Sequence, residues 1–86
     1  MLNKVQAGSV VRADAGRDRE NPYGGFFVVT EVSGGYCMIA DGKTRKLARP
    51  KRKNMKHIRA TGSMINISDI TDKKLRALLR EAGSAE

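Results

Sequence analysis

Between Ser9 and Arg59 the apolar residues come in short β-branched or aromatic runs separated by glycines, without helical periodicity. That punctuation predicts a small antiparallel β-protein. "SVVRA" after Gly8 reads as a first strand and "GFFVVTEVS" as a longer second one. "SGG" at Ser33 to Gly35 is a tight turn whose glycines tolerate positive φ. "YCMIA" is the third strand, "DG" at Asp41 and Gly42 a second hairpin turn, and "TRKLAR" the fourth strand. Pro50 interrupts pairing because it lacks an N–H donor. "KRKN" beyond it has no apolar residue and reads as a solvated loop, while "NMKHIRA" supplies a short fifth strand.

Five short strands in about fifty residues cannot make two covered layers, so the economical arrangement is a bent sheet closing on itself as a small barrel. The expected inward set is Val10 or Val11, the region of Phe27, Val28 and Val29, then Ile39, Leu47 and Ile58. The register of the second strand stays open, because Phe26 to Val29 is apolar throughout.

After Arg59 the pattern changes. "ATGSMINIS" reads as a linker with apolar anchors, and "DITDKKLRALLREAG" as an amphipathic helix. Thr71 is placed to cap its N-terminus, with Asp72 at the positive end of the helix dipole. Ile70 and Leu75 occupy the two positions of a hydrophobic staple. Leu75, Leu78, Leu79 and Ala82 form one apolar stripe, and Gly83 is placed for a C-terminal cap. A helix of about twelve residues is marginal alone in water. It is therefore expected to pack on the barrel, the alternatives being a partner protein or a second copy. The organisation is one domain, with the barrel in residues 1–60 and the linker and helix in 61–86.

Charge adds a partner class to this picture. Seventeen Lys and Arg against nine Asp and Glu give the 86-residue chain a net charge of +8. The stretch "DGKTRKLARPKRKNMKHIR", Asp41 to Arg59, holds nine of those basic residues and a single acid. So local a field points to a polyanion, either nucleic acid or anionic lipid. Lipid fits less well, because the amphipathic helix has a short apolar stripe and lies away from the basic block. No membrane partner is expected.

Cys37 is the only cysteine, which excludes an intrachain disulfide and permits a reducing compartment. "MLNKVQAGSVV" lacks the long apolar segment of a signal peptide or membrane helix, so the expected location is the cytoplasm. Catalytic signals are weak. Asp14, Asp18 and Glu20 are interleaved with Arg17 and Arg19, a pattern of local ion pairing, and no Gly-rich loop runs into a helix. Cys37 has no second Cys or nearby His for metal spacing. His57, the only histidine, is read as a surface residue. Neither enzymatic activity nor a cofactor is expected.

Gly8, two valines, and Gly16 followed by Arg17 and Asp18, then a loop and an apolar strand, resemble the KOW motif of ribosomal proteins and transcription elongation factors. Together with "DGK" and "RPKRKNMKH", the run from about residue 5 to 60 is most similar to the large-subunit ribosomal proteins called fourteen-e in archaea and eukaryotes, and to their small bacterial relatives. It departs from them at "ENPYGG", Glu20 to Gly25, where many relatives have a shorter and more basic loop. The resemblance implies an SH3-like five-stranded barrel that binds RNA through the KOW loop and basic strand ends. Carried onto this sequence, the RNA-binding positions are Gly16, Arg17 and Arg19 in the loop, then Lys43, Arg45, Lys46, Arg49, Lys51, Arg52 and Lys53. Arg12 and Lys56 complete the candidate surface.

Of the four aromatics, Phe26 and Phe27 are assigned to the core and Tyr23, beside Pro22, is a candidate for stacking on a base. The expected function is non-catalytic binding of structured, ribosomal RNA by shape and charge, with association with the ribosome and with a monomer favoured over a dimer. The alternatives are a transcription-elongation type of KOW module and a protein-interaction adaptor.

Overall fold

The apolar run Phe26 to Val29 has a structural cause: its strand is buried on both faces. In the computed structural model, which describes residues 5–14 and 21–84, five strands form one antiparallel sheet. They are β1 (Ser9–Ala13), β2 (Phe26–Ser33), β3 (Tyr36–Ala40), β4 (Lys51–Asn54) and β5 (Ile58–Met64), in the order β4-β3-β2-β1-β5. One helix, α1 (Asp72–Ser84), follows. The protein is mainly β, a small SH3-like barrel with a C-terminal helix.

Successive side chains of a strand point to opposite faces. Val11, Ala13, Phe27, Val29, Cys37, Ile39 and Ile58 form the inner cluster. Val10, Phe26, Val28 and Ala40 point the other way, where Tyr23 and the Leu75 and Leu79 side chains of α1 cover them. Two clusters therefore share β2. Of the expected inward set, Val11 takes the inner place offered to Val10 or Val11, while Val28 and Leu47 belong instead to the cluster under the helix.

The helix docks on the barrel. Thr71 Oγ1 accepts from the Lys74 amide at 3.1 Å, which satisfies a donor that the first turn leaves unpaired. Ile70 packs in the same cluster as Leu75. Truncating Leu75 or Leu79, both wholly buried, would cost about 2–5 kcal/mol. The helix runs through Gly83 to Ser84, so Gly83 lies within its last turn and not beyond it.

Between Asp41 and Arg59 the structure reverses two expectations. "TRKLAR" is part of a loop, and "KRKN" is strand β4, paired Tyr36 with Asn54, Cys37 with Lys53, Met38 with Arg52 and Ile39 with Lys51. The cause lies in Asp41, whose carboxylate takes up the Lys43 and Arg45 amides and so removes them from any ladder. Leu47 leaves as well, drawn to the helix side.

Met55–His57, expected in the fifth strand, is one turn of 3-10 helix, which Asn54 caps by accepting from the Lys56 amide at 2.9 Å. Met55 N donates to Gly35 O and Asp14 N to His57 O, both at 3.0 Å. The turn thus joins the β2–β3 turn to the end of β1, where end strands β4 and β5 approach in the chain. β5 then runs to Met64, through residues that read as linker. Past Ile58 its residues are exposed, so it is held to β1 by backbone pairing and left no apolar signature. At the bulge between Ser9 and Val11, the Thr61 hydroxyl donates to Val10 O at 2.8 Å.

Gly8 shows why the chain needs glycine there. Its φ is +94°, and a Cβ would lie 2.6 Å from Ile65 O. That close approach lets Gly8 N donate to Val29 O at 2.7 Å and Gly8 O accept from Ile65 N at 2.8 Å.

Candidate nucleic-acid interface

The basic loop from Asp41 to Pro50 is built around a buried acid. Asp41 is fully buried. Its Oδ1 accepts from the amides of Lys43 at 2.9 Å and Arg45 at 2.8 Å, and its Oδ2 from Asn21 Nδ2 at 3.1 Å. Asp41 N also donates to Arg45 O at 2.8 Å, and Arg49 N to Lys46 O at 2.9 Å. A buried carboxylate is costly unless hydrogen-bonded, and here each oxygen has a donor. The loop has a fixed backbone even though its side chains are polar.

Asn21 extends this network to the preceding loop. Its Nδ2 also donates to Phe26 O at 2.9 Å, while its Oδ1 accepts from the amides of Tyr23 at 3.1 Å and Gly25 at 2.6 Å. The end of the β1–β2 connection and the foot of the basic loop therefore share one anchor. Gly16, Arg17 and Arg19, expected to contact RNA, lie outside the described residues.

The first two turns of α1 clamp the loop from the other side. Asp72 Oδ1 accepts from Leu47 N, and Arg76 Nη1 donates to Gly42 O, both at 2.8 Å. Gly42 has φ +83°, and a Cβ there would lie 2.6 Å from Asp72 O. Only glycine lets loop and helix come this close.

Exposure then decides which cations can meet a ligand. Lys43, Lys46 and Arg49 are exposed, and Arg45 is half-buried. Arg76 marks the helix face next to the loop, and Lys73 and Arg80, three residues before and four after it, share that face and are exposed. These three helical cations were missed by the sequence reading, which used the helix for its apolar stripe alone. The signal was present as Lys and Arg at helical spacing opposite the leucines.

Arg12 and Arg59 face each other across the β1–β5 pair. Arg12 lies over the Phe26 ring, with Cζ 5.8 Å from its centroid, and Arg59 Nε is 3.0 Å from Asp14 Oδ2. Arg12 in turn pairs with Phe26, so Arg59, Arg12 and Phe26 form one cross-strand row, next to the row of Val10, Val28 and Ala40 that ends beside Asp41.

Strand β4 divides its charges. Lys51 and Lys53 are half-buried opposite inner-cluster residues Ile39 and Cys37, while Arg52 is exposed on the outer face. The expected free loop of cations after Pro50 is thereby corrected, because pleating turns successive residues to opposite faces. Lys56 and His57 are exposed on the 3-10 turn. The structure thus brings Lys43, Lys46, Arg49, Lys73, Arg76 and Arg80 together, and sets Lys51, Lys53 and Lys56 apart.

Tyr23, the expected stacking residue, is only 7% exposed and belongs to the cluster under the helix. Tyr36 is the exposed tyrosine. Burial pushes the Cys37 thiol above its ordinary value by desolvation, which disfavours the thiolate. Among the described residues no group of three or more His, Cys, Asp or Glu could hold a metal ion, and no helix is long and apolar enough to cross a membrane. No protein-family model matches the chain, and a search of curated proteins finds no match.

Proposed function

We propose that the protein is a non-catalytic RNA-binding protein of the translation apparatus, acting as a cytoplasmic monomer on structured, ribosomal RNA and associating with the ribosome. The observation that carries this reading is the array of exposed cations on a loop fixed by Asp41 and by α1. The exposed loop cations Lys43, Lys46 and Arg49, with Lys73, Arg80 and the half-buried Arg76 on the adjoining face of α1, release counterions on meeting phosphates. A backbone already ordered loses little conformational freedom in doing so. Phosphate contacts position a protein without reading sequence, so shape and charge dominate recognition. The preference for RNA over DNA rests on the resemblance of the Gly8 to Gly16 stretch and the basic block to KOW-containing ribosomal proteins.

Binding to a structured ribosomal RNA fragment, a duplex DNA and a single strand of equal length, each across a salt series, tests the proposal. With six phosphates neutralised, the log-log slope is about −5 on duplex DNA and about −4 on single strands. RNA is expected to bind most tightly. Equal, weak binding to all three would remove the proposal.

A further inference from the structure

The outer face of β3 and β4 carries a surface that the basic loop does not use. There Ser33, Tyr36 and Asn54 form one cross-strand row, and Glu31, Met38 and Arg52 the next. Tyr36 begins β3 and is 36% exposed, and Arg52 Cζ lies 5.1 Å from its ring centroid. Gly35, Tyr36, Arg52 and Asn54 line an open recess of about 540 Å³. A guanidinium held beside a solvent-exposed aromatic ring is the kind of pair on which unpaired bases stack.

Asn54 adds a directional group. Its Oδ1 is engaged by the Lys56 amide, and its exposed carboxamide keeps Nδ2 as a donor for an acceptor on a base edge. Gly35 lines the recess without a side chain, and a Cβ built there would meet nothing within 4 Å.

We propose that Tyr36, Arg52 and Asn54 seat one unpaired nucleobase of the bound RNA. This inference rests on the RNA-binding reading and adds a base-contacting subsite to it. Recognition is by stacking, so it tolerates any base and selects for a bulge or loop over a continuous duplex. Charge in the recess comes from Arg52, which also meets the adjoining phosphate.

The test uses two RNA hairpins that differ only by a single-nucleotide bulge, with the full chain as wild type, Tyr36→Ala and Tyr36→Phe. Wild type should prefer the bulged hairpin by roughly tenfold, the scale of one stacked base. Tyr36→Ala should lose that preference without changing affinity for the paired hairpin, and Tyr36→Phe should keep it. Equal wild-type binding to both hairpins would overturn the subsite and leave RNA binding intact. So would a Tyr36→Ala loss of the same factor on both. Binding to neither would take down both readings. Because Tyr36 is exposed, Tyr36→Ala should fold, and matching circular dichroism spectra check this.

Discussion

Two basic segments adjoin in the chain, Lys43 to Arg49 and Lys51 to Lys53, and they become different kinds of surface. The first has no regular secondary structure, yet Asp41, Asn21, Asp72 and Arg76 fix it by hydrogen bonds, and it turns Lys43, Lys46 and Arg49 outward. The second is a regular strand, yet it turns Lys51 and Lys53 toward the inner cluster and leaves Arg52 alone on the outside. Equal charge in the sequence is not equal charge at an interface. What separates the two is whether the local backbone obeys the pleat.

The largest effect expected from this contrast is on stability. Asp41→Ala leaves the amides of Lys43 and Arg45 without their side-chain acceptor and removes one of the two acceptors of Asn21 Nδ2, at a cost of about 3 kcal/mol in chemical denaturation. Arg52→Ala, at an exposed strand position, should stay within about 0.5 kcal/mol.

Next in size is binding. Replacing Lys43, Lys46 and Arg49 together by Gln should flatten the salt slope on duplex nucleic acid by about 3, one for each phosphate no longer neutralised. The unfolding midpoint of that variant should hardly move, since all three side chains are exposed. Arg52→Gln should flatten the slope by about 1.

A smaller effect sharpens the difference between the two segments. Reversing Lys51 and Lys53 to Glu shortens two half-buried stems that lie over Ile39 and Cys37, and should cost about 1 kcal/mol of stability in a denaturant titration. The same reversal at Lys43 and Lys46 should cost less.

The smallest concerns pH. The folded-state Cys37 thiol is raised above its ordinary value of 9.0 by burial, so the folded chain holds that proton where the unfolded chain releases it. Its contribution to stability is complete below the unfolded value and declines as pH rises above it. Thermal melts through the alkaline range should show this decline in wild type and a shallower one in Cys37→Ala. Identical slopes would show that the thiol is not desolvated.

The division between what the sequence showed and what it hid follows the same physics. The helix was legible because Thr71, Ile70 and the leucine stripe are local signals that agree. So were β1, β2 and β3, each of which begins directly after a glycine. The β2 register was hidden because helix and barrel bury opposite faces of one strand, which erases alternation. β4 was hidden because "KRKN" is held by backbone pairing to Tyr36–Ile39, and β5 because only Ile58 of its residues is buried.

At the site, the cations of Asp41–Arg59 were visible as composition, but their sorting was not. "KTRKLAR" alternates as a strand would, and only the fold shows that Asp41 captures two of its amides. Tyr23 was misplaced for a similar reason. A residue beside Pro22 looks exposed until a helix about 50 residues further on covers it, and that is a tertiary fact.

The most direct test of the central claim is to titrate the isotopically labelled protein with a structured ribosomal RNA fragment near physiological ionic strength and map amide shifts. Perturbations concentrated at Lys43, Lys46, Arg49 and along Lys73, Arg76 and Arg80 are expected, with smaller shifts along β4. Shifts confined to Lys51, Lys53 and Lys56, with the loop and helix unmoved, would contradict the account.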